Sequence, residues 1–312
     1  MYMGKEIHIP DSIDTMDGGE ISFSAIHDRY AQSHFGKHLD GQLRWVRYKP
    51  ASISGESWIH APLGVDMNNL KHMPLIAGLT KSYLKHQEPE KALNRTDSQI
   101  LMLAAQTHDW AEAITDDISF DQKTVVEDED EATMMLFMLK RMLGGKLSRE
   151  NLMQVYSTVK DRNSRLGRVF NAIERVGYMR SGLNAWTAST KPRGEVMRGL
   201  SPELEAELRE ALQWLASNVA GNQVGKLLEY AENYRPVGVY LESVRGRISD
   251  LFAGMPVAVF DKYPSDGEKG DEQLEQVQKF LIAHKAWKNS KFGGESGRKD
   301  IQNPQAAGGV AG

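Results

Sequence analysis

The chain has 312 residues, 38 of them basic and 42 acidic, for a formal net charge of −4. That near balance argues against a broad basic face for duplex nucleic acid, while still admitting a local basic pocket for a phosphate. There is no cysteine, which excludes disulfides, thiolate metal sites and cysteine nucleophiles, so any metal must sit on His, Asp and Glu. No apolar run approaches the roughly 18–20 residues of a membrane span. The opening stretch MYMGKEIHIPDSID lacks the apolar segment of a secretory signal. The expectation is a soluble, cytoplasmic protein without a membrane partner, with a homo-oligomer left open.

Residues 1–65 show no strong period. Asp17-Gly18-Gly19 is a turn signal between two short apolar stretches, compatible with a minor β element, and Ser54 to Gly64 reads as loop. From Asn68 the pattern becomes helical. Leu70, Ile76, Leu79 and Tyr83 recur at helical spacing, Asn68 or Asn69 can cap the start, and Pro74 is tolerable only near the first turn. Gln87 to Asn94 reads as a connector. A second helix is expected after Asp97, its N-cap, through Ile100, Leu101, Ala104 and Ala105 to His108. A third runs from Thr133 to Leu143 and stops at Gly144-Gly145, a fourth from Arg149 to Lys160, and a fifth from Leu166 to Ala185. Ser201-Pro202-Glu203 opens another, with cap, first-position proline and an acid in the first turn, and Leu204, Leu208, Leu212 and Leu215 line one face. More helix is expected from Gly221 to Tyr230 and from Val239 to Phe252. Beyond Tyr263 the chain turns polar and glycine-containing. Residues 289–312 are expected to be a disordered tail, preceded by a short amphipathic helix near Leu274 to Trp287 that either docks or recruits a partner. No internal repeat is visible.

The stretch that carries chemistry is His108-Asp109-Trp110-Ala111-Glu112-Ala113-Ile114-Thr115-Asp116-Asp117, placed after the apolar run ILMLAAQT. An adjacent His and Asp can give one imidazole nitrogen and one carboxylate oxygen to a single cation. If helix continues to Glu112, its side chain returns to the face of His108, where a carboxylate can orient or deprotonate a water. Asp117 can hold that water or the substrate from the next loop. His72, near the start of the preceding helix, is the natural third ligand, and Glu174 or Asp161 the candidates for a fourth. Such an N/O set suits Mn, Co, Fe, Zn or Ni as divalent cations, without choosing among them.

Several other features have plainer readings. His27-Asp28 is the same dipeptide without the apolar helix before it or a Glu four residues on, and reads as a decoy. His60 could replace His72 but sits in loop-like surroundings. The run Glu127 to Glu131 reads as a solvated helix N-terminus, and Met134, Met135 and Met138 as core packing. Gly221-Asn222-Gln223-Val224-Gly225-Lys226 falls short of a phosphate-binding loop and has no strand before it.

His72, then His108-Asp109, then a carboxylate on a later helix resembles the HD-domain phosphohydrolase superfamily. HDWAEAITDDI is similar to the HD-x-x-E-x-x-x-G-D-[IL] stretch of bacterial 5′-deoxynucleotidases and related small HD nucleotidases. The resemblance covers about residues 65–185. It implies metal binding by His72, His108, Asp109 and a late acid, here Glu174 in preference to Asp161, with Glu112 and Asp117 positioning the attacking water. It implies that Lys123 meets substrate phosphate and that Arg44, beside Trp45, lies near the sugar. The sequence departs from the family at Asp116, where the family has Gly, at Lys71-His72-Met73 in place of E-H-S, and at Glu174 in place of Asp.

The resulting expectation is an all-α fold. Residues 1–64 form an N-terminal extension, 65–190 an HD metal-binding core, 191–262 a C-terminal helical region, and 263–312 a largely disordered tail with a short helix. The implied activity is divalent-metal-dependent hydrolysis of a nucleotide, most simply a (deoxy)nucleoside monophosphate. Deoxynucleoside triphosphate hydrolysis, phosphodiester cleavage and a non-catalytic nucleotide- or protein-binding scaffold are the alternatives.

Overall fold

The computed structural model describes residues 9–50, 52, 68–116, 124–191, 200–256, 258–262 and 270–294. His60, Asp117 and Lys123 lie outside the described residues, as do 295–312 of the expected tail. The described chain is all-α apart from one small hairpin, and none of its helices is long and apolar enough to cross a membrane.

Strands β1 (Ser12–Asp14) and β2 (Glu20–Ser22) pair antiparallel, with Ile13 opposite Ile21. Gly18 takes φ +80° in the turn between them, a conformation glycine adopts without steric cost. Two short helices follow, α1 (Phe23–Ala31) and α2 (His34–Gly41). The central helices are α3 (Asn69–Lys85), α4 (Arg95–Thr107), a single turn α5 (Glu112–Thr115), α6 (Val125–Leu143), α7 (Arg149–Lys160) and α8 (Arg165–Thr190). The C-terminal part comprises α9 (Pro202–Asn233), α10 (Arg235–Ser243), α11 (Arg245–Gly254), α12 (Ala258–Lys262) and α13 (Gly270–Asn289).

Side-chain caps explain most helix starts. Ser22, Ser33, Asn68, Asn94, Ser148, Ser164 and Ser201 each accept a backbone N–H two or three residues into the helix that follows. Thr124 and Glu127 form a reciprocal capping box, so α6 begins eight residues before Thr133 and takes in the acidic run. Within that run Glu131 is buried and binds Lys160 at 2.5 Å, while Glu127 and Asp128 occupy the first turn. The cap of α4 is Asn94 rather than Asp97, whose N–H donates to the Asn94 side chain at 2.8 Å. Pro74 lies beyond the first turn of α3, where its missing N–H leaves the Leu70 carbonyl without its usual donor.

A single apolar cluster runs from Ile13 to Phe292. Helices α8 and α9 pack along each other most extensively, α13 covers α9, and α3, α4 and α7 complete the layer around the predicted site. Helix α9 is continuous, so the Gly221 to Lys226 stretch is helical, not a loop. The segment expected as one helix from Val239 to Phe252 is divided at Val244 into α10 and α11. Helix α13 docks with Phe280, Ala283 and Trp287 buried, and Phe292, beyond its end, is buried too.

Candidate metal centre

Helix α4 delivers the first two donors. Its apolar residues Ile100 to Ala105 are fully buried, which drives the helix through the core and carries its C-terminal end inward. The helix ends at Thr107, and His108 to Ala111 form tight turns before α5 begins. Glu112 is therefore brought back by a turn, with its N–H donating to the Asp109 carbonyl at 3.1 Å, and not by continuing helix.

His72 enters from the first part of α3, and its ring lies 5.4 Å from that of His108, edge to face. Ligand-capable atoms of His72, His108 and Asp109 all lie within 4.8 Å of one another, and all three residues are buried. Nδ1 of His108 is 3.1 Å from the Ala105 carbonyl, an acceptor, so Nδ1 carries the proton and Nε2 is left with its lone pair. Nε2 of His108 and Oδ2 of Asp109 are buried with no hydrogen-bond partner. Buried polar atoms seldom go unsatisfied, and these two are the atoms a cation would take. Two imidazoles and a carboxylate fit a divalent transition metal with open positions.

Glu174, on α8, is only partly exposed, and its carboxyl end is enclosed. Desolvation is the main influence on it and raises its pKa. His108 opposes that rise, Asp109 adds to it, and Arg162 and Arg44 oppose it more weakly. Those influences put Glu174 within electrostatic reach of the cluster, although it is not one of the three mutually close donors. Asp161 is exposed and occupied locally, accepting the Asn163 N–H at 2.9 Å in the turn between α7 and α8.

Arg44 belongs to the N-terminal segment, yet it is buried at the site. One Nη donates to Asn69 Oδ1 at 3.2 Å and lies 3.5 Å from Asp109 Oδ2. The guanidinium stands over the rings of Trp45 at 5.5 Å and Tyr178 at 6.0 Å. Asn69 in turn donates to Glu112 Oε2 at 2.5 Å, so one amide bridges Arg44 and Glu112. Gln42 donates to the Glu112 carbonyl and to Asp116 Oδ1, both at 2.9 Å. Below the turn, Tyr30 stacks on Trp110 with centroids 4.5 Å apart and donates to its carbonyl at 3.2 Å.

Among the sequence-predicted residues, His72, His108, Asp109, Glu112, Arg44 and Glu174 converge on one region. His27 lies elsewhere and is not part of the cluster. Asn69, Gln42 and Tyr178 were missed as site residues. Asn69 carried a signal only as a helix cap, and nothing local to Gln42 or Tyr178 marks them. Comparison of the chain with family models, curated proteins and solved structures produced no match.

Proposed function

We propose that this protein is a divalent-metal-dependent phosphohydrolase of the HD type, acting on a nucleotide and most simply on a nucleoside monophosphate. The observation that carries the reading is the convergence of His72, His108 and Asp109 from two separate parts of the chain, with His108 Nε2 and Asp109 Oδ2 buried and without a hydrogen bond. Glu174 is the proposed fourth ligand. When bound, the cation supplies Lewis-acid activation of water and of a phosphoryl oxygen.

The surrounding residues support that chemistry. Glu112 is held by Asn69 beside the cluster, a carboxylate placed to accept a proton from the attacking water. Arg44 places a cation beside Asp109, where it can neutralise a phosphate oxygen. Trp45 and Tyr178 offer aromatic faces next to that guanidinium, suited to a sugar or base. Asp117 and Lys123 complete the proposal on the strength of the sequence resemblance alone.

The test is metal analysis of the purified protein, followed by a nucleotide panel with released phosphate and pyrophosphate quantified separately. Stoichiometric metal that is lost in His108→Ala, with phosphate release from monophosphates, is the expected result. Pyrophosphate or triphosphate release would move the reading to another bond. A protein with no stoichiometric metal and no turnover with added Mn²⁺ or Co²⁺ overturns it in favour of a non-catalytic scaffold.

A further inference from the structure

The chain before α3 is fastened to the start of that helix. Leu43 forms an isolated antiparallel bridge with Asn68, and the Gln42 carbonyl accepts the Asn69 N–H at 3.4 Å. Arg44 follows directly. Trp45, next to it, takes φ +65°, a left-handed conformation that a bulky residue keeps only where its surroundings hold it. The Arg44 guanidinium is fixed in turn by Asn69 Oδ1 at 3.2 Å and by the faces of Trp45 and Tyr178. A positive charge is therefore built into the site by the N-terminal segment.

That charge stands 3.5 Å from Asp109 Oδ2, one of the two buried ligand atoms without a hydrogen bond. The two side chains are only 9% and 10% exposed, so solvent screens their interaction little. Arginine stays protonated at any working pH. The oxygen offered to a divalent cation is thus already faced by a permanent monovalent one. A cation bound there has a positive neighbour, and repulsion at short range in a poorly solvated place is strong. A phosphate reverses the sign. Shared between guanidinium and cation, it gives each of them an anion to face in place of another positive charge.

We propose that Arg44 couples cation binding to phosphate binding: alone it weakens the hold of the centre on its cation, and with a phosphate in place it strengthens it. The coupling rests on the metal reading given above and adds the condition under which the ion is retained. The centre holds its cation firmly when substrate or product phosphate is present and loosely when it is not. By linkage, the cation strengthens phosphate binding by the same factor.

The Mn²⁺ affinity of the full chain, read from the paramagnetic resonance signal of the free ion with and without inorganic phosphate, tests it. In the wild type, phosphate is expected to tighten Mn²⁺ binding by about fivefold or more. Arg44→Met keeps the length of the side chain without its charge. It should bind Mn²⁺ about tenfold more tightly than the wild type when phosphate is absent, and should lose the response to phosphate. Arg44→Lys keeps the charge and should stay near the wild type when phosphate is absent. Far-ultraviolet circular dichroism checks that both variants fold, and the wild-type comparison needs no variant. Wild-type affinity that ignores phosphate overturns the coupling. So does a folded Arg44→Met that binds Mn²⁺ no more tightly than the wild type, and the metal reading survives either result. A wild type that binds no Mn²⁺ in either condition removes the metal reading, and the coupling falls with it.

Discussion

Asp116 takes φ +62° and ψ 163°, a region that side chains other than glycine's occupy only at a cost of about 1–3 kcal/mol. Gln42 holds its carboxylate, and His38 stands 3.7 Å away, so surrounding contacts over-determine the strained turn. Asp116→Gly is expected to stabilise the protein by about 1 kcal/mol, the strain relieved less the entropy a glycine adds to the unfolded chain. Urea denaturation reads it, and a lower midpoint for the variant would show that the Gln42 contact outweighs the strain.

Glu174 makes a prediction of changing sign. Its carboxyl is desolvated, and its raised pKa means the folded protein favours the neutral acid. The residue therefore costs nothing below its unfolded pKa and penalises folding once pH has risen through the folded value. In chelator at neutral pH, Glu174→Gln is expected to be more stable by about 1–2 kcal/mol, the scale of removing a poorly compensated buried charge. The advantage should shrink as pH falls toward the ordinary carboxylate range. With Mn²⁺ or Co²⁺ in excess the order should reverse, because the wild type gains more from the ion it binds. Thermal melts in both conditions decide it, and a variant with unaltered metal-induced stabilisation would remove Glu174 from the ligand set.

At the level of elements, α4 sets the position of His108 and Asp109, and its register begins at its cap. Asn94 rather than Asp97 does this work, and the two differ in what their loss removes. Asn94→Ala should cost about 1 kcal/mol through the lost cap. Asp97→Ala removes an ion pair with Arg165 on α8, whose arginine side is exposed, and should cost less. Equal losses in a denaturation series would contradict the cap assignment. The sequence could not separate these residues, because Asn94 and Asp97 are both good caps three positions apart.

The same limit explains what was legible elsewhere. Helices α3, α4, α7 and α8 announce themselves through local caps and apolar periodicity, and His72, His108 and Asp109 could be read because the first sits on one strongly patterned helix and the other two directly follow another. Helices α1 and α2 are short and rest on a few buried residues, Phe23, Ile26, Tyr30 and Leu39, too few to establish a period. Asn69 and Gln42 act on Glu112 from 43 and 70 residues away, contacts that no local pattern encodes. The glycine-containing stretch at Gly221 is a different case. A Cβ there would lie 3.0 Å from the Phe280 backbone nitrogen, so the glycine is a notch for α13. What resembled a fragment of a phosphate loop is a place where two helices cross closely.

Across the whole molecule, the surroundings of the candidate metal site are not confined to the expected core of residues 65–190. Arg44, Gln42 and Tyr30 come from the first 64 residues, and the scaffold behind α8 is built from the last helices. Phe170 of α8 lies against the His108 ring, α9 packs along α8, and α13 covers α9. Trp287, on α13, is buried at 1% exposure, and its indole N–H donates to Ser249 Oγ at 3.1 Å. Because one apolar cluster links Trp287 to the site, damage at this remote tryptophan should reach the whole fold. Trp287→Ala is expected to cost about 3–5 kcal/mol, as for other large-to-small changes in a packed interior. The loss should appear equally when unfolding is followed by far-ultraviolet circular dichroism and by release of bound metal. Two separated transitions, with metal held past the loss of α13, would mean that the C-terminal helices fold as a unit of their own and leave the centre standing without them.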